Sequence, residues 1–241
     1  MKFKIFFILA LIFNGSIYSQ ETEENNKSIN EIGFDFSGLI DSQYLVTYER
    51  SLSDHYSFLV GVGLKAEEGL INLSGLDTPH IKTDDLTYSG FKILAEGRYY
   101  LNEQTTRQLI GFYLGAYLKY SNFSSDLKGS YVDDNETFFW IDLDADFHTT
   151  SIGFMVGYKL PLTKRLNIDF LIAGPGVAFY NFDITNKASL PDSFFEDLNE
   201  GLENYNLFDY INGDFDFKVN NSSSSFSGVA FRYGIKLNYS L

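Results

Sequence analysis

The 241-residue sequence contains no cysteine. That excludes a disulfide framework and the lipid anchor that bacteria attach to an N-terminal cysteine, so packing and backbone pairing alone must hold the fold. Long apolar runs are missing as well. The chain opens Met-Lys-Phe-Lys, continues with an apolar stretch from Ile5 to Phe13, and passes through small and polar residues to Ser19 and Gln20. This order of basic, apolar and cleavable regions reads as a secretory signal peptide, residues 1–19, with cleavage after Ser19 or Gln20. It is shorter than the roughly 20 apolar residues a spanning helix needs, and no later segment comes near that length, which excludes a helical membrane protein. Positive charge is scarce too: 18 Lys and Arg stand against 32 Asp and Glu, for a net charge of −14. Nucleic acid is therefore not an expected partner, because like charges repel the phosphate backbone.

What the chain has in quantity is aromatic residues, 17% of the total, and alternation. Beyond a tail at 20–30, expected to lie in the periplasm, apolar and polar residues alternate with the period that puts successive side chains on opposite faces of a strand. Eight runs show it, at 31–39, 43–51, 56–66, 91–101, 110–120, 149–160, 166–180 and 226–241. In the third, Tyr56, Phe58, Val60, Val62 and Leu64 face one way, with Ser57, Gly61, Gly63 and Lys65 opposite. In the last, Val229, Phe231, Tyr233, Ile235, Leu237 and Tyr239 oppose Arg232, Gly234, Lys236 and Asn238. Gly174-Pro175-Gly176 reads as a bulge in the seventh run. Connections fall into two classes: short at 52–55, 102–107 and 161–165, long at 67–89, 121–148 and 181–225. Short turns at one end and long loops at the other are the layout of a bacterial outer-membrane barrel. The long segments hold most of the acid, including Asp133, Asp134, Asp142, Asp144 and Asp146 in the second and Asp183, Asp209, Asp214 and Asp216 in the third.

Alternation alone does not say which face meets lipid, since a lipocalin-like barrel also has eight up-and-down strands. The polar face carries opposite charges at mid-strand: Glu49, Lys65, Glu96, Arg98, Lys159, Asp169, Arg232 and Lys236, with Asp35, Lys92 and Lys119 on the same side. An eight-stranded barrel is just wide enough inside for side chains to fill it, so these residues are expected to form a plug of ion pairs. On the apolar face, Tyr48, Tyr56, Tyr99, Tyr158 and Tyr239 fall near the short-turn ends and Phe34, Tyr44 and Tyr120 near the long-loop ends. Two such bands match the two interfaces of a bilayer.

The C-terminal strand, with Arg232, Gly234, Leu237 and Tyr239 at their spacing, resembles the signal by which the barrel-assembly machinery recognises outer-membrane proteins; Ser240 and Leu241 follow where the pattern usually ends on an aromatic. Together with Leu94 to Leu101 and Gly111 to Tyr117, it makes the chain similar to the small outer-membrane barrels of the Bacteroidota and to the membrane domains of OmpA, OmpX and OmpW. The resemblance implies an all-β fold, an eight-stranded antiparallel up-and-down transmembrane barrel over 31–241 with short periplasmic turns and long extracellular loops. It also implies a place in the cell outer membrane among lipid and lipopolysaccharide.

Three constellations invite chemistry. Asp142, Asp144 and Asp146 share a strand face with His148, as hard-cation ligands would, but the glycine turn and closing glutamate of a calcium loop are missing. His148, Thr150 and Ser151 would sit at the outer rim as in a lipid-modifying enzyme, yet His148 and Ser151 point to opposite faces of a regular strand. Ser193 and Glu196 have the spacing of a capping box before Phe195, Leu198 and Leu202, which predicts a short amphipathic helix over the barrel mouth. No cofactor site is expected. The expected role is a structural or surface-interaction barrel; passage of small hydrophobic molecules and an envelope lipid enzyme are the alternatives.

Overall fold

The computed structural model describes residues 29–67, 74–104, 108–203, 217–218 and 223–241. The signal peptide, most of the 20–30 tail and the acidic residues Asp209, Asp214 and Asp216 lie outside them. Among the described residues nine strands and one α-helix follow in order: β1 Asn30–Asp35, β2 Gln43–Ser51, β3 Tyr56–Lys65, β4 Ile81–Thr83, β5 Ser89–Tyr100, β6 Gly111–Val132, β7 Phe138–Pro161, β8 Leu166–Asn186, α1 Asp192–Glu203 and β9 Ser223–Ser240. All strands but β4 form one antiparallel ring in the order β1-β2-β3-β5-β6-β7-β8-β9. It closes where β9 pairs with β1, through Ile32↔Tyr239 and Phe34↔Leu237. Closure leaves no open sheet edge in the ring, and every strand pairs with its neighbour in the chain, which is the eight-stranded up-and-down barrel. Among the described residues no helix is long and apolar enough to cross a membrane.

The alternation maps directly onto the two faces. Along β3, Tyr56, Phe58, Val60, Val62 and Leu64 are exposed, while Ser57, Leu59, Gly61, Gly63 and Lys65 are buried. The same holds around the ring, with Val229 on β9 and Phe154 on β7 78% and 76% exposed on the outside. The predicted bulge falls slightly earlier than Gly174-Pro175-Gly176. The register of β8 with β9 shifts between Leu171 and Gly174. That extra residue switches the inward parity from odd (Asn167, Asp169, Leu171) to even (Ala178, Ile184), as a bulge must.

The largest departure from expectation is the segment 121–148, which is not a loop. β6 and β7 continue through it as a hairpin paired from Ser121↔Thr149 to Val132↔Phe138. At 22 residues, β6 is about 70 Å long at roughly 3.3 Å per residue, more than twice the length of β2. Asp133 closes the tip: its Oδ1 accepts from the backbone N–H of Asn135 at 2.9 Å and of Thr137 at 2.7 Å, and these bonds hold its carboxyl below the usual range.

In this extension the faces trade character. On β7, outward residues run Leu160, Tyr158, Val156, Phe154 and Ile152, then become His148, Asp146, Asp144 and Asp142, while the inward set changes from Lys159 and Ser151 to Phe147, Leu143 and Ile141. β6 switches at the same level, from Leu118 and Tyr120 to Asn122 and Ser124 outside, and β8 from Val177 and Phe179 to Asn181 and Asp183. Below the line the apolar face is outside; above it the apolar face is inside, as in any water-exposed sheet.

The upper inner face carries its own small core. Phe194, Phe195 and Leu198 of α1 pack with Leu76, Ile81, Tyr131, Ile141, Leu143, Ile184, Leu190 and Phe217. α1 is the predicted helix, but it starts at Asp192, just after Pro191, so Ser193 lies inside it and is not its cap. Instead Tyr131 Oη donates to Asp197 Oδ2 at 2.9 Å and accepts from Ser193 Oγ at 3.0 Å, fastening the helix to β6. Tyr131→Phe keeps the packing and removes these bonds, so α1 should lose about 1 kcal/mol of docking stability. Amide exchange in 192–203 should then be several-fold faster while exchange in the ring strands is unchanged.

Candidate functional site: the lumen

Inward positions on the short-turn half of the ring bring together side chains far apart in sequence. Arg98 on β5 is at the centre. Its Nη1 reaches Glu49 Oε2 at 3.0 Å and Asp169 Oδ2 at 2.9 Å, and its Nε donates to Glu96 Oε2 at 2.9 Å. Lys159 Nζ donates to Glu31 Oε2 at 2.7 Å and Glu49 Oε2 at 2.6 Å. Arg232 Nη2 donates to Glu96 Oε1 at 2.8 Å, and Lys236 Nζ lies 3.5 Å from Asp169 Oδ2. Four carboxylates, Glu31, Glu49, Glu96 and Asp169, thus meet four cations, Arg98, Lys159, Arg232 and Lys236. The layer is neutral.

Phenols and amides fill the remaining lone pairs. Tyr100 Oη donates to Glu49 Oε1 at 2.8 Å, Tyr113 Oη to Asp169 Oδ1 at 2.7 Å, and Asn167 Nδ2 to Glu31 Oε1 at 2.9 Å. The Arg98 guanidinium also lies over the Tyr113 ring, 4.4 Å from its centroid, a cation–π arrangement. That ring needs room, and Gly157 supplies it: a Cβ there would collide with the Tyr113 hydroxyl. Burying so many charges is tolerable because each is paired with an opposite charge and all but Lys236 are hydrogen-bonded as well.

The short-turn end is also floored. Leu109 N donates to Glu31 Oε1 at 2.9 Å, Gln104 N donates to Asp54 O at 2.8 Å, and Gln108 Nε2 donates to Thr163 O at 2.5 Å. Leu109 is buried with Tyr100 and Tyr113, and Leu45, Leu59, Leu94, Met155 and Leu171 belong to the same interior cluster. The lumen is therefore not uniformly polar, as the alternation suggested, but an ion-pair layer packed against apolar side chains.

Of the residues singled out from the sequence, Glu49, Glu96, Arg98, Lys159, Asp169, Arg232 and Lys236 are brought into one network. Lys65 is not among them. It lies at the long-loop end, donating to Ala66 O at 2.7 Å and resting 4.5 Å from the Tyr88 centroid. Glu31 is a member that reading the sequence misses, although it shares the parity of Asp35 and faces Glu49 and Ser240 across its two pairings. Arg232 and Gly234 point inward on β9 while Leu237 and Tyr239 lie on its outer side.

The other constellations do not assemble. Asp142, Asp144 and Asp146 are strung along an extended strand; Lys187 Nζ meets Asp144 Oδ1 at 2.5 Å and Ser124 Oγ donates to Asp146 Oδ1 at 2.7 Å. Among the described residues no three His, Cys, Asp or Glu side chains converge as metal ligands. His148 faces outward, 3.9 Å from Asp183, while Ser151 is buried on the inner face of the same strand. They cannot act as nucleophile and base, because that needs hydrogen-bond contact. His55 Nδ1 lies 2.8 Å from Tyr100 O and His80 Nδ1 2.9 Å from Val132 O, both structural contacts.

Comparison with known proteins adds the following. The profile of DUF3575, a protein family of unknown function, matches residues 60–189. No curated protein matches the sequence. Among solved structures, CarO of Acinetobacter baumannii is 12% identical with a TM-score of 0.38, the match covering 88% of this chain and 95% of that one. A major outer membrane protein from Thermus thermophilus is 11% identical with a TM-score of 0.42, covering 90% of this chain and 100% of that one.

Proposed function

The chain belongs to the DUF3575 family, and from that premise we propose that it is an outer-membrane barrel with a sealed lumen, serving a structural or surface-interaction role rather than conduction. The observation that carries this reading is the neutral layer of buried ion pairs with the buried Leu109 and Gln108 beneath it. The apolar belt favours lipid around the lower barrel: from Val229 to Tyr239 on β9 it matches the roughly 9–11 residues of a tilted spanning strand. The level at which the faces trade character then lies at the outer headgroups. Short turns face the periplasm, and the acidic hairpin of β6 and β7 stands above lipopolysaccharide. In this reading the residues 1–19 direct export, and Arg232, Gly234, Leu237 and Tyr239 serve assembly, in keeping with the likeness to small barrels of the Bacteroidota.

Planar-bilayer recording tests the sealed lumen. The refolded protein should show heat-modifiable gel mobility and no stable channel; steady unitary currents from the wild type would overturn the reading. A shift of lipid A composition on deletion would favour the envelope-enzyme alternative, and an unchanged profile is expected.

A further inference from the structure

Above the level where the faces trade character, the outer side of β7 is acidic, yet its two outer residues nearest the tip are aromatic. Trp140, the one tryptophan of the chain, is 72% exposed and Phe138 51%, their rings edge to face with centroids 4.9 Å apart. Adjacent exposed apolar groups of this kind are where proteins meet partners.

The backbone beside these rings is open on one side. β7 pairs with β8 only as far as Leu143↔Asn186, followed by one bond from Lys187 N to Asp142 O at 3.0 Å. Beyond it no strand among the described residues pairs with this side of β7. In an antiparallel strand the N–H and C=O of one residue point to the same side, and successive residues alternate. Asp142 O points away from β6, whereas Thr137 O points toward it and accepts from Asp133 N at 3.1 Å. The N–H and C=O of Phe138 and Trp140 therefore share the direction of Asp142 and face outward from the sheet edge.

The other edge of the hairpin is closed. There β4 pairs with β6 from Ile81↔Tyr131 to Thr83↔Gly129, and its far side is bonded in turn, Thr83 N donating to Leu76 O at 2.9 Å. Proteins blunt an open edge with charge, proline or a bulge. The run Phe138-Phe139-Trp140-Ile141 has none of these, and its register with β6 is unbroken.

Charge selects the occupant. Asp133, Asp134 and Glu136 crown the tip, and Asp142, Asp144 and Asp146 follow along the strand. Against them stand Lys128 in register with Asp142, Lys187 at 2.5 Å from Asp144, and His80 at 3.7 Å from Asp134. A second copy would bring the same acidic edge, on a chain of net charge −14, into contact with this one, so repulsion opposes self-pairing and favours a segment rich in lysine or arginine.

We propose that an extended basic segment of another protein adds to this edge as a strand, pairing its backbone with Phe138 and Trp140. Its side chains then alternate between faces: lysine or arginine outside, over the Trp140 ring and beside Asp142, and apolar residues inside, continuing the face of Phe139 and Ile141. The proposal names a partner for the surface-interaction role above and rests on that reading.

The test uses the whole chain refolded in neutral detergent at low ionic strength, titrated with a synthetic peptide of alternating arginine and valine. Trp140 is the sole tryptophan, so its emission should shift as the peptide binds. Methylating the backbone nitrogens of the arginines blocks one edge of the peptide, and methylating those of the valines blocks the other. One of these peptides should bind about ten-fold more weakly than the parent and the other should match it. With a labelled peptide, Trp140→Ser, a change at an exposed position, should weaken binding about five-fold, the loss of one exposed cation–π contact. Absence of binding below about 1 mM, equal affinity of the two methylated peptides, or dimerisation of the free chain that Trp140→Ser abolishes would overturn the proposal. Failure of the peptide leaves the sealed lumen standing, and steady currents in planar bilayers would overturn the sealed lumen without touching this edge.

Discussion

Replacing Arg98 by methionine should lower the unfolding free energy of the barrel by about 3–5 kcal/mol, the cost of leaving buried charges without their partner. Arg98 touches Glu49, Glu96 and Asp169 at once. Each remaining cation already has a carboxylate of its own: Lys159 is engaged by Glu31 and Glu49, Arg232 by Glu96 and Lys236 by Asp169. The mutant lumen therefore holds four carboxylates against three cations. Removing one orphaned charge should recover part of the loss, so Arg98→Met with Glu96→Gln should be more stable than Arg98→Met alone. Urea titrations in detergent, read by gel mobility, measure both, and the cycle isolates the coupling. A loss below about 1 kcal/mol would place Arg98 among solvated surface ions and remove the argument for a sealed lumen.

That network was largely legible in the sequence, because strand parity converts a list of residues into a face. Once β5 is read as extended, Glu96 and Arg98 must share a side, and the same parity collects Glu49, Lys159, Asp169, Arg232 and Lys236. Parity does not report height along the barrel axis, which is why Lys65 looked like a member although it sits at the rim. Nor does it show the floor, since the contacts of Gln104, Gln108 and Leu109 are made by an irregular segment with no period. The segment 121–148 shows a different limit. Its residues 139–147 alternate as regularly as any other run, but acid takes the outer positions and Phe139, Ile141, Leu143 and Phe147 the inner ones. A reading that looks for apolar residues on the outside takes this inversion for a loop, whereas the strand continues and only its two faces exchange character. Ser193 fell to a local ambiguity, as Pro191 starts the helix earlier and frees the hydroxyl for Tyr131.

The same inversion makes its sharpest prediction on β9, where one strand carries both arrangements. Ile235 and Ser225 lie on its outer face, and both are exposed. Ile235 is near the middle of the stretch from Val229 to Tyr239, opposite Phe170 on β8. Ser225 lies above the inversion, opposite Asn181. Ile235→Lys should therefore cost roughly 2–4 kcal/mol when the barrel is folded into lipid bilayers, the penalty for a cation at the midplane of a lipid-facing strand. Ser225→Lys should stay within about 0.5 kcal/mol, as surface substitutions do. In a water-soluble barrel both lysines would extend into solvent and both changes would be small. Equal stabilities of the two variants would thus remove the lipid belt while leaving the ring of strands intact; a difference confined to Ile235 ties the change of face to the edge of the bilayer.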